Sequence, residues 1–316
     1  MTGVKGNKSA LVAASSILLL LPGLVPGIGP FLTAIVPGLS FGLLYGIEDH
    51  RGLYLILVAV TVLGLVLGVL VGNPGLGVLT LQTAGMVFML GVGHKYSWNG
   101  PQMMLACFFF LAWTFILSII LLVGPTEIEE WYSKFIEALT KEMEITFSQY
   151  INNAQSKNTE QWFAHWKQGL FNLFPAFLGF SLLMISYLNV LICGAVTQRL
   201  WGQRVFGPSF ENWKLPDALV WLVIIFGSAA LFTKGFYYKV GLNGIYVIGA
   251  FYLIQGLAVI HFMIKRMGMP WFIKTIFYVL ILIQWYGLLI VTLIGLADVW
   301  FDFRSKLQKN SADQQD

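Results

Sequence analysis

The residues of this chain that could recognise a ligand are uncharged polar and aromatic side chains inside long apolar stretches. Amide and hydroxyl groups could hydrogen-bond a small, mostly uncharged solute, and aromatic rings could stack on it. Inside a membrane, however, most buried amides join helices to one another, with about 0.6–2 kcal/mol for each bond. Interhelical bonding is therefore the favoured interpretation, and a ligand cavity is the alternative. The candidate ligand-binding residues are Gln82, Asn189, Tyr252 and Gln255 for hydrogen bonding and Tyr246, Trp285 and Tyr286 for stacking.

Signatures of metal or nucleotide chemistry are missing from the sequence. It contains no P-loop and no His-Glu-x-x-His pattern. None of its four histidines stands beside a second ligand at metal-binding spacing. Cys107 and Cys193 both fall in apolar stretches, where a cysteine usually packs as a small, inert hydrophobe. We therefore expect a protein that is not an enzyme and holds no cofactor or metal.

Two acidic residues stand one helical turn apart near the end of the last apolar stretch. Asp298 and Asp302 are followed by Arg304. One interpretation is a helix-terminal ion-pair cluster at the membrane interface, and the other is a site for an ion or a partner. The structural interpretation is favoured.

The composition indicates the kind of fold that must position these residues. The chain has 316 residues, of which 57% are hydrophobic and only 11% are charged, against about 25% charged residues in soluble domains. Mean hydropathy is +0.75. These values exclude a water-soluble globule, a disordered chain and a disulfide scaffold. The net charge of +4 is modest, and no basic run interleaved with aromatics suggests nucleic-acid binding. We expect an all-α polytopic transmembrane helix bundle in contact with the lipid bilayer.

The apolar stretches predict eight or nine membrane segments, because a spanning helix needs about 20 mostly apolar residues. The first two segments are weak, since prolines and glycines follow the first of them, and they could be two short crossings or a re-entrant hairpin. Lys and Arg in the short loops favour a cytoplasmic amino terminus and leave the side of the carboxy terminus open. The nine candidate segments are residues 9–21, 30–45, 53–71, 76–92, 102–123, 170–195, 218–233, 242–264 and 271–299.

A polar stretch divides the apolar pattern into two halves. Residues 126–167 combine apolar side chains at helical spacing with charged side chains on the other faces, which predicts a long amphipathic helix. It is either a solvated connector or an element for partner binding or gating. The predicted organisation is an amino-terminal membrane half at 1–123, the connector at 124–168, a carboxy-terminal membrane half at 169–304 and a polar tail at 305–316.

The carboxy-terminal half resembles the YybS-like family of uncharacterised bacterial membrane proteins. The resemblance rests on FENWKLPDALVWL at 210–222, NGIYVIGAFYLIQGLAVIHFMIKR at 243–266 and GLADVWFDFR at 295–304, preceded by LFPAFLGF at 173–180. It implies a multi-pass protein of the bacterial cytoplasmic (inner) membrane and brings no known activity.

The amino-terminal layout is also similar to the substrate-binding subunits of energy-coupling-factor transporters. In those subunits an Ala-x-x-x-Ala face on the first helix docks against a transmembrane coupling subunit. The resemblance places this partner interface at Ala10 and Ala14. A relationship to rod-shape membrane scaffolds of similar hydropathy is an equal alternative.

These observations lead to two functional hypotheses. The first is a membrane-embedded binding or transport module for a small solute, which lacks its own ATPase and depends on a coupling subunit and a partner ATPase for active transport. The second is a non-transporting scaffold that recruits envelope-assembly proteins through residues 127–167. An intramembrane enzyme is the least favoured function.

Overall fold

The structure is a computed structural model that describes residues 8–25, 27–46, 50–151, 157–206 and 210–306. This part of the chain folds into α-helices and short 3-10 turns without a β-strand, which confirms the all-α prediction there. The helices are α1 (Lys8–Leu24), α2 (Gly29–Leu32), α3 (Val36–Leu44), α4 (His50–Leu70), α5 (Pro74–Lys95), α6 (Gly100–Val123), α7 (Ile128–Ile151), α8 (Lys157–Trp201), α9 (Val220–Phe232), α10 (Phe236–Arg266), α11 (Trp271–Ile283) and α12 (Trp285–Phe301).

Within the described ranges, four helices are long and apolar enough to cross a membrane. They are α5, α6, the part of α8 from Ala164 to Trp201, and α10. A fifth crossing results if α11 and α12 together form one bent span. The helices α1, α4 and α9 are apolar but shorter. A multi-pass membrane protein is therefore supported, and eight or nine crossings remains a prediction.

The last predicted segment, residues 271–299, is wrong as a single continuous helix. It consists of α11 and α12, bent by 103° at a break. Gln284 leaves helical geometry, with φ −99° and ψ 118°, and becomes the first capping residue of α12. Its carbonyl accepts hydrogen bonds from Gly287 and Leu288, so a new helix starts there. An aromatic pair and a glycine follow Gln284, and these residue types are weaker helix formers than leucine.

The second predicted segment, residues 30–45, is also interrupted. The helix α2 has four residues, a turn at 33–35 follows it, and α3 continues for nine residues. Pro30 and Pro37 each stand in the first turn of a new helix, where proline is tolerated because its missing N–H would be unbonded anyway. The helix α3 packs against α1, α5 and α8. The weak signal of this region therefore reflects two short helices attached to longer ones.

The connector predicted from the sequence begins with the amphipathic helix α7. Ile136 and Thr140 are buried, whereas Glu130, Lys134 and Glu137 are exposed. The helix α8 then begins at Lys157 and continues without interruption to Trp201. The predicted boundary between residues 168 and 169 therefore lies inside one helix.

Close packing of α10 against α12 depends on two glycines. A Cβ atom at Gly256 would lie 2.0 Å from the Val291 carbonyl oxygen, and one at Gly295 would lie 2.0 Å from the Tyr252 carbonyl oxygen. Both distances are far shorter than any real Cβ contact, so the two backbones touch directly. Small residues at such positions let helices in membranes approach one another closely.

We expect Gly256→Ala to destabilise the protein by about 1–3 kcal/mol, because the added methyl group would push α12 away from α10. The matched control is Gly249→Ala on the same helix, where the nearest atom, Thr292 Cγ2, would lie 3.8 Å from the new Cβ. Thermal unfolding of both purified variants in detergent measures the difference. Equal melting temperatures for the two variants would contradict the described packing.

Candidate functional site

Asn189, predicted as a ligand-binding residue, is engaged entirely within the protein. Its side chain is fully buried on α8. Its Oδ1 accepts a hydrogen bond from the Gly38 amide at 2.7 Å, and its Nδ2 donates to the carbonyls of Thr33 and Ile185, each at 2.8 Å. Gly38 lies in the first turn of α3, whose amides lack helical partners. Asn189 therefore attaches the interrupted α2–α3 region to α8, which is the interhelical role favoured above.

Gln255 is engaged in the same way on α10. Its Oε1 accepts a hydrogen bond from the Leu215 amide at 3.0 Å, and its Nε2 lies 3.3 Å from Asp298 Oδ2. Tyr252, one turn earlier, is also buried, and its hydroxyl has no hydrogen-bond partner in the described part of the chain. The amide of Gln255 thus joins the loop before α9 to α12.

A buried ion pair continues this network. Arg304 Nη2 lies 2.6 Å from Asp298 Oδ2, and both side chains are less than a tenth exposed. Arg304 Nη1 also donates to the carbonyls of Glu211 and Trp213, at 3.1 and 2.7 Å. Glu211 in turn pairs with Lys265 at 2.5 Å. The predicted helix-terminal ion pair is therefore present between Asp298 and Arg304.

Asp302 has a different role from Asp298. It ends α12 in the left-handed conformation, with φ 42° and ψ 60°. The network around Asp298 and Arg304 joins three segments that are far apart in sequence. They are the loop at 210–215, the helix α10 and the end of α12. Across the described residues, no group of three or more His, Cys, Asp or Glu side chains is arranged to hold a metal ion.

The remaining predicted residues are not brought together. Gln82 is buried on α5, whereas Tyr246 and Tyr286 are about half exposed, at 57% and 47%. The side chain of Trp285 lies outside the described residues. Ala10 and Ala14, the predicted partner interface, are both exposed on α1. None of the six predicted ligand residues whose side chains the structure describes lines the cavity between α6, α8, α9 and α10.

A cavity of about 550 Å³ lies between α6, α8, α9 and α10, with α7 at one end. This volume is in the usual range for ligand pockets, about 300–1,000 Å³. Its wall is almost entirely apolar and includes Phe108, Phe226, Val247 and Phe251. The polar side chains on the lining gather toward the α7 end, and they are Tyr132, Asn172, Lys239 and Asn243.

A proline in α8 positions this end of the cavity. Pro175 has no N–H, so the Phe171 carbonyl four residues earlier loses its helical partner. The Tyr132 hydroxyl donates to that carbonyl at 2.6 Å. Partial burial raises the pKa of Tyr132, and a tyrosine hydroxyl is already protonated at neutral pH, so it can donate. The amphipathic helix α7 is thereby attached to α8 at the cavity.

Asn243 of α10 bonds the next pair of backbone groups along α8. Its Oδ1 accepts from the Ala176 amide and its Nδ2 donates to the Asn172 carbonyl, each at 2.8 Å. A regular α-helix pairs those two groups with each other. Asn243 thus bridges α8 where proline weakens it. Both Pro175 and Asn243 lie in the motifs that carry the family resemblance. A proline inside a membrane span was the sequence signal that a side chain from another helix would have to bond the freed backbone groups.

One match to a catalytic pattern lies in α3. Gly38, Ser40 and Gly42 fit Gly-x-Ser-x-Gly. In the hydrolases that use this pattern, the serine is exposed on a sharp turn between a strand and a helix. Here Ser40 lies within a helix and is fully buried. The structural context of a nucleophile elbow is therefore absent at this position of the described chain.

The role of Pro175 can be measured with a double-mutant cycle. We expect Tyr132→Phe to cost about 0.5–1.5 kcal/mol, because the Phe171 carbonyl loses its donor. In the background of Pro175→Ala, which restores a backbone N–H opposite that carbonyl, the same change is expected to cost less. Thermal unfolding of the four proteins gives the coupling energy. A cost of Tyr132→Phe that does not depend on residue 175 would contradict this arrangement.

The contribution of the buried ion pair to stability can be measured by replacing Arg304. We expect Arg304→Leu to destabilise the protein by about 3–5 kcal/mol, because Asp298 would remain buried without its partner. The control is Lys134→Leu, which breaks the exposed pair with Glu130 on α7 and is expected to leave stability nearly unchanged. The same unfolding assay reports both variants, and a mild effect of Arg304→Leu would show that Asp298 is hydrated.

Comparison with known proteins agrees with this architecture. Residues 13–299 match a family model described as "Predicted membrane protein (DUF2232)". No curated protein and no solved structure matches the chain. Because the model matches most of the chain, including the helices that form the cavity, the protein belongs to the DUF2232 family of membrane proteins.

Proposed function

We propose that the protein is a membrane-embedded binding or transport module for a small molecule with an apolar body, which lies in the cavity between α6, α8, α9 and α10. The observation that carries the proposal is the cavity itself, about 550 Å³ in volume and lined mainly by aromatic and aliphatic side chains. Such a wall binds a ligand through the hydrophobic effect and close packing rather than through hydrogen bonds.

The hydrogen bonds of the described residues argue against a strongly polar solute. Asn189 and Gln255 bond to other parts of the protein. At the cavity, Tyr132 and Asn243 bond to the backbone of α8. These side chains would have to break existing bonds before they could bind a solute, which is costly inside a membrane.

The surface around the cavity favours entry from the bilayer. Phe109, Phe236 and Val240 line the cavity and are exposed, at 57%, 73% and 42%. Exposed apolar side chains on helices of a membrane protein are in contact with lipid tails. An apolar ligand could therefore reach the cavity sideways without crossing water.

Active transport by this module requires a partner. Because the sequence contains no P-loop, energy would come from a separate ATPase through a coupling subunit. Exposure of Ala10 and Ala14 on α1 supports a docking role for that face, in line with the resemblance to substrate-binding subunits. The proposal places the protein in the bacterial cytoplasmic membrane, with a cytoplasmic amino terminus.

We expect Val240→Trp to weaken binding of decanol, a simple ten-carbon probe, by about tenfold in Kd, because the larger ring fills part of the cavity. The full-length protein in phosphatidylcholine nanodiscs is titrated with decanol and bound probe is counted by native mass spectrometry. The matched control is Leu231→Trp, which adds the same ring at an exposed position of α9 outside the lining. Equal binding by both variants would overturn the proposal.

The second candidate, a scaffold for envelope assembly, is favoured by one observation. Leu139 and Met143 of α7 are exposed apolar side chains on a helix whose other faces carry charges. Such a helix suits a protein partner or the membrane surface. If the protein is a scaffold, removal of residues 127–167 abolishes recovery of envelope-assembly proteins, whereas Val240→Trp leaves that recovery intact.

A further inference from the structure

We propose that the ligand of this cavity is an amphiphile with an anionic headgroup, phosphate or carboxylate, and that Lys239 binds the headgroup while the apolar chain fills the cavity. The inference rests on the proposed function and specifies the class of molecule that the cavity takes. It depends on where Lys239 lies, on which polar groups around it are already bonded, and on how the cavity opens.

Lys239 stands at the polar end of the cavity, in the first turns of α10. Its Nζ lies 5.9 Å from the centre of the Phe171 ring, which is part of the wall. In the described part of the chain, Lys239 is the charged side chain among the lining residues. Lys239 is exposed, and its ammonium group lies beside this part of the wall.

Two of the other three polar side chains at this end, Tyr132 and Asn243, are engaged. Tyr132 donates to the Phe171 carbonyl, and Asn243 bonds to Ala176, Asn172 and the Lys239 carbonyl. Among the carboxylates whose side chains the structure describes, none lies within ion-pair distance of the Lys239 ammonium. At this end the donors that a ligand can use are therefore the Lys239 ammonium and the Asn172 side-chain amide, whose Oδ1 accepts from Gln168 at 3.4 Å. Among the lining residues described, Lys239 is the one that carries a charge.

Charge complementarity selects the headgroup. The Lys239 ammonium is exposed at the end of an apolar wall, where an opposite charge at hydrogen-bond distance would form a charge-assisted hydrogen bond with it. An ammonium group attracts phosphate and carboxylate, whereas an alcohol of the same chain length gains only a neutral hydrogen bond. The expected preference for the anion is about fivefold, the effect of one lysine near a membrane surface.

The shape of the site selects an amphiphile rather than a free anion. Lys239 occupies one end, and the rest of the wall is apolar for the length of the cavity. Each buried methylene group contributes about 0.8 kcal/mol to binding. A phosphate without a chain would forgo that contribution, and an uncharged hydrocarbon would forgo the contact with Lys239.

The test compares probes that share one chain. Decyl phosphate, decanoate and decanol are titrated against the full-length protein in phosphatidylcholine nanodiscs, with bound probe counted by native mass spectrometry. We expect decyl phosphate and decanoate to bind about fivefold more tightly than decanol. Lys239→Gln should reduce both to the level of decanol. The matched control is Lys234→Gln, which removes an exposed lysine just before α10 that does not line the cavity and should preserve the preference.

The outcomes separate this inference from the proposed function. Equal binding of the three probes, or an anion preference that survives Lys239→Gln, would overturn the anionic headgroup while the cavity stands as a binding site for apolar molecules. Displacement of decyl phosphate by inorganic phosphate at similar concentration would overturn the amphiphile in favour of a free-anion site. If no probe binds, or if Val240→Trp leaves binding of all three unchanged, the proposed function fails together with the inference.

Discussion

Backbone groups that lose their helical partners inside an apolar environment must be bonded by side chains, and much of this structure depends on that constraint. At Pro175 the missing N–H leaves the Phe171 carbonyl to Tyr132, and Asn243 bonds the next pair of groups. At the start of α3, Asn189 accepts from the Gly38 amide. In both places a helix from elsewhere in the chain supplies the partner, so the same bonds complete the backbone and hold helices together.

The same requirement explains the character of the cavity. The side chains best able to bind a polar solute are occupied by the backbone of α3 and α8 and by the loop before α9. Among the described residues, what remains around the cavity is an apolar wall with the Asn172 amide and one cation, Lys239, at one end. The ligand proposed above would therefore be held by burial of apolar surface and by charge, which requires it to have both an apolar and an ionic part.

The fold was predictable where residues close together in the sequence determine it. Composition gives the membrane helices, and the segments at 76–92, 102–123 and 242–264 lie inside α5, α6 and α10. The ion pair of Asp298 and Arg304 was also predictable, since the two residues are close in sequence at a helix end. The break at Gln284 was not predictable, because no proline or polar run marks it. The cavity was not predictable either. Two of its lining residues, Asn172 and Asn243, are 71 residues apart, and only the packing of the helices brings them together.

The uninterrupted length of α8 has a mechanical consequence. A helix of 45 residues is about 68 Å long at 1.5 Å per residue, more than twice the hydrocarbon thickness of about 30 Å. A substantial part of it must therefore project beyond the bilayer unless it lies strongly tilted. The weakest point of its backbone, Pro175, lies at the end of the cavity. A force on the projecting part would thus act along α8 and bend it most easily at Pro175, beside the proposed ligand site.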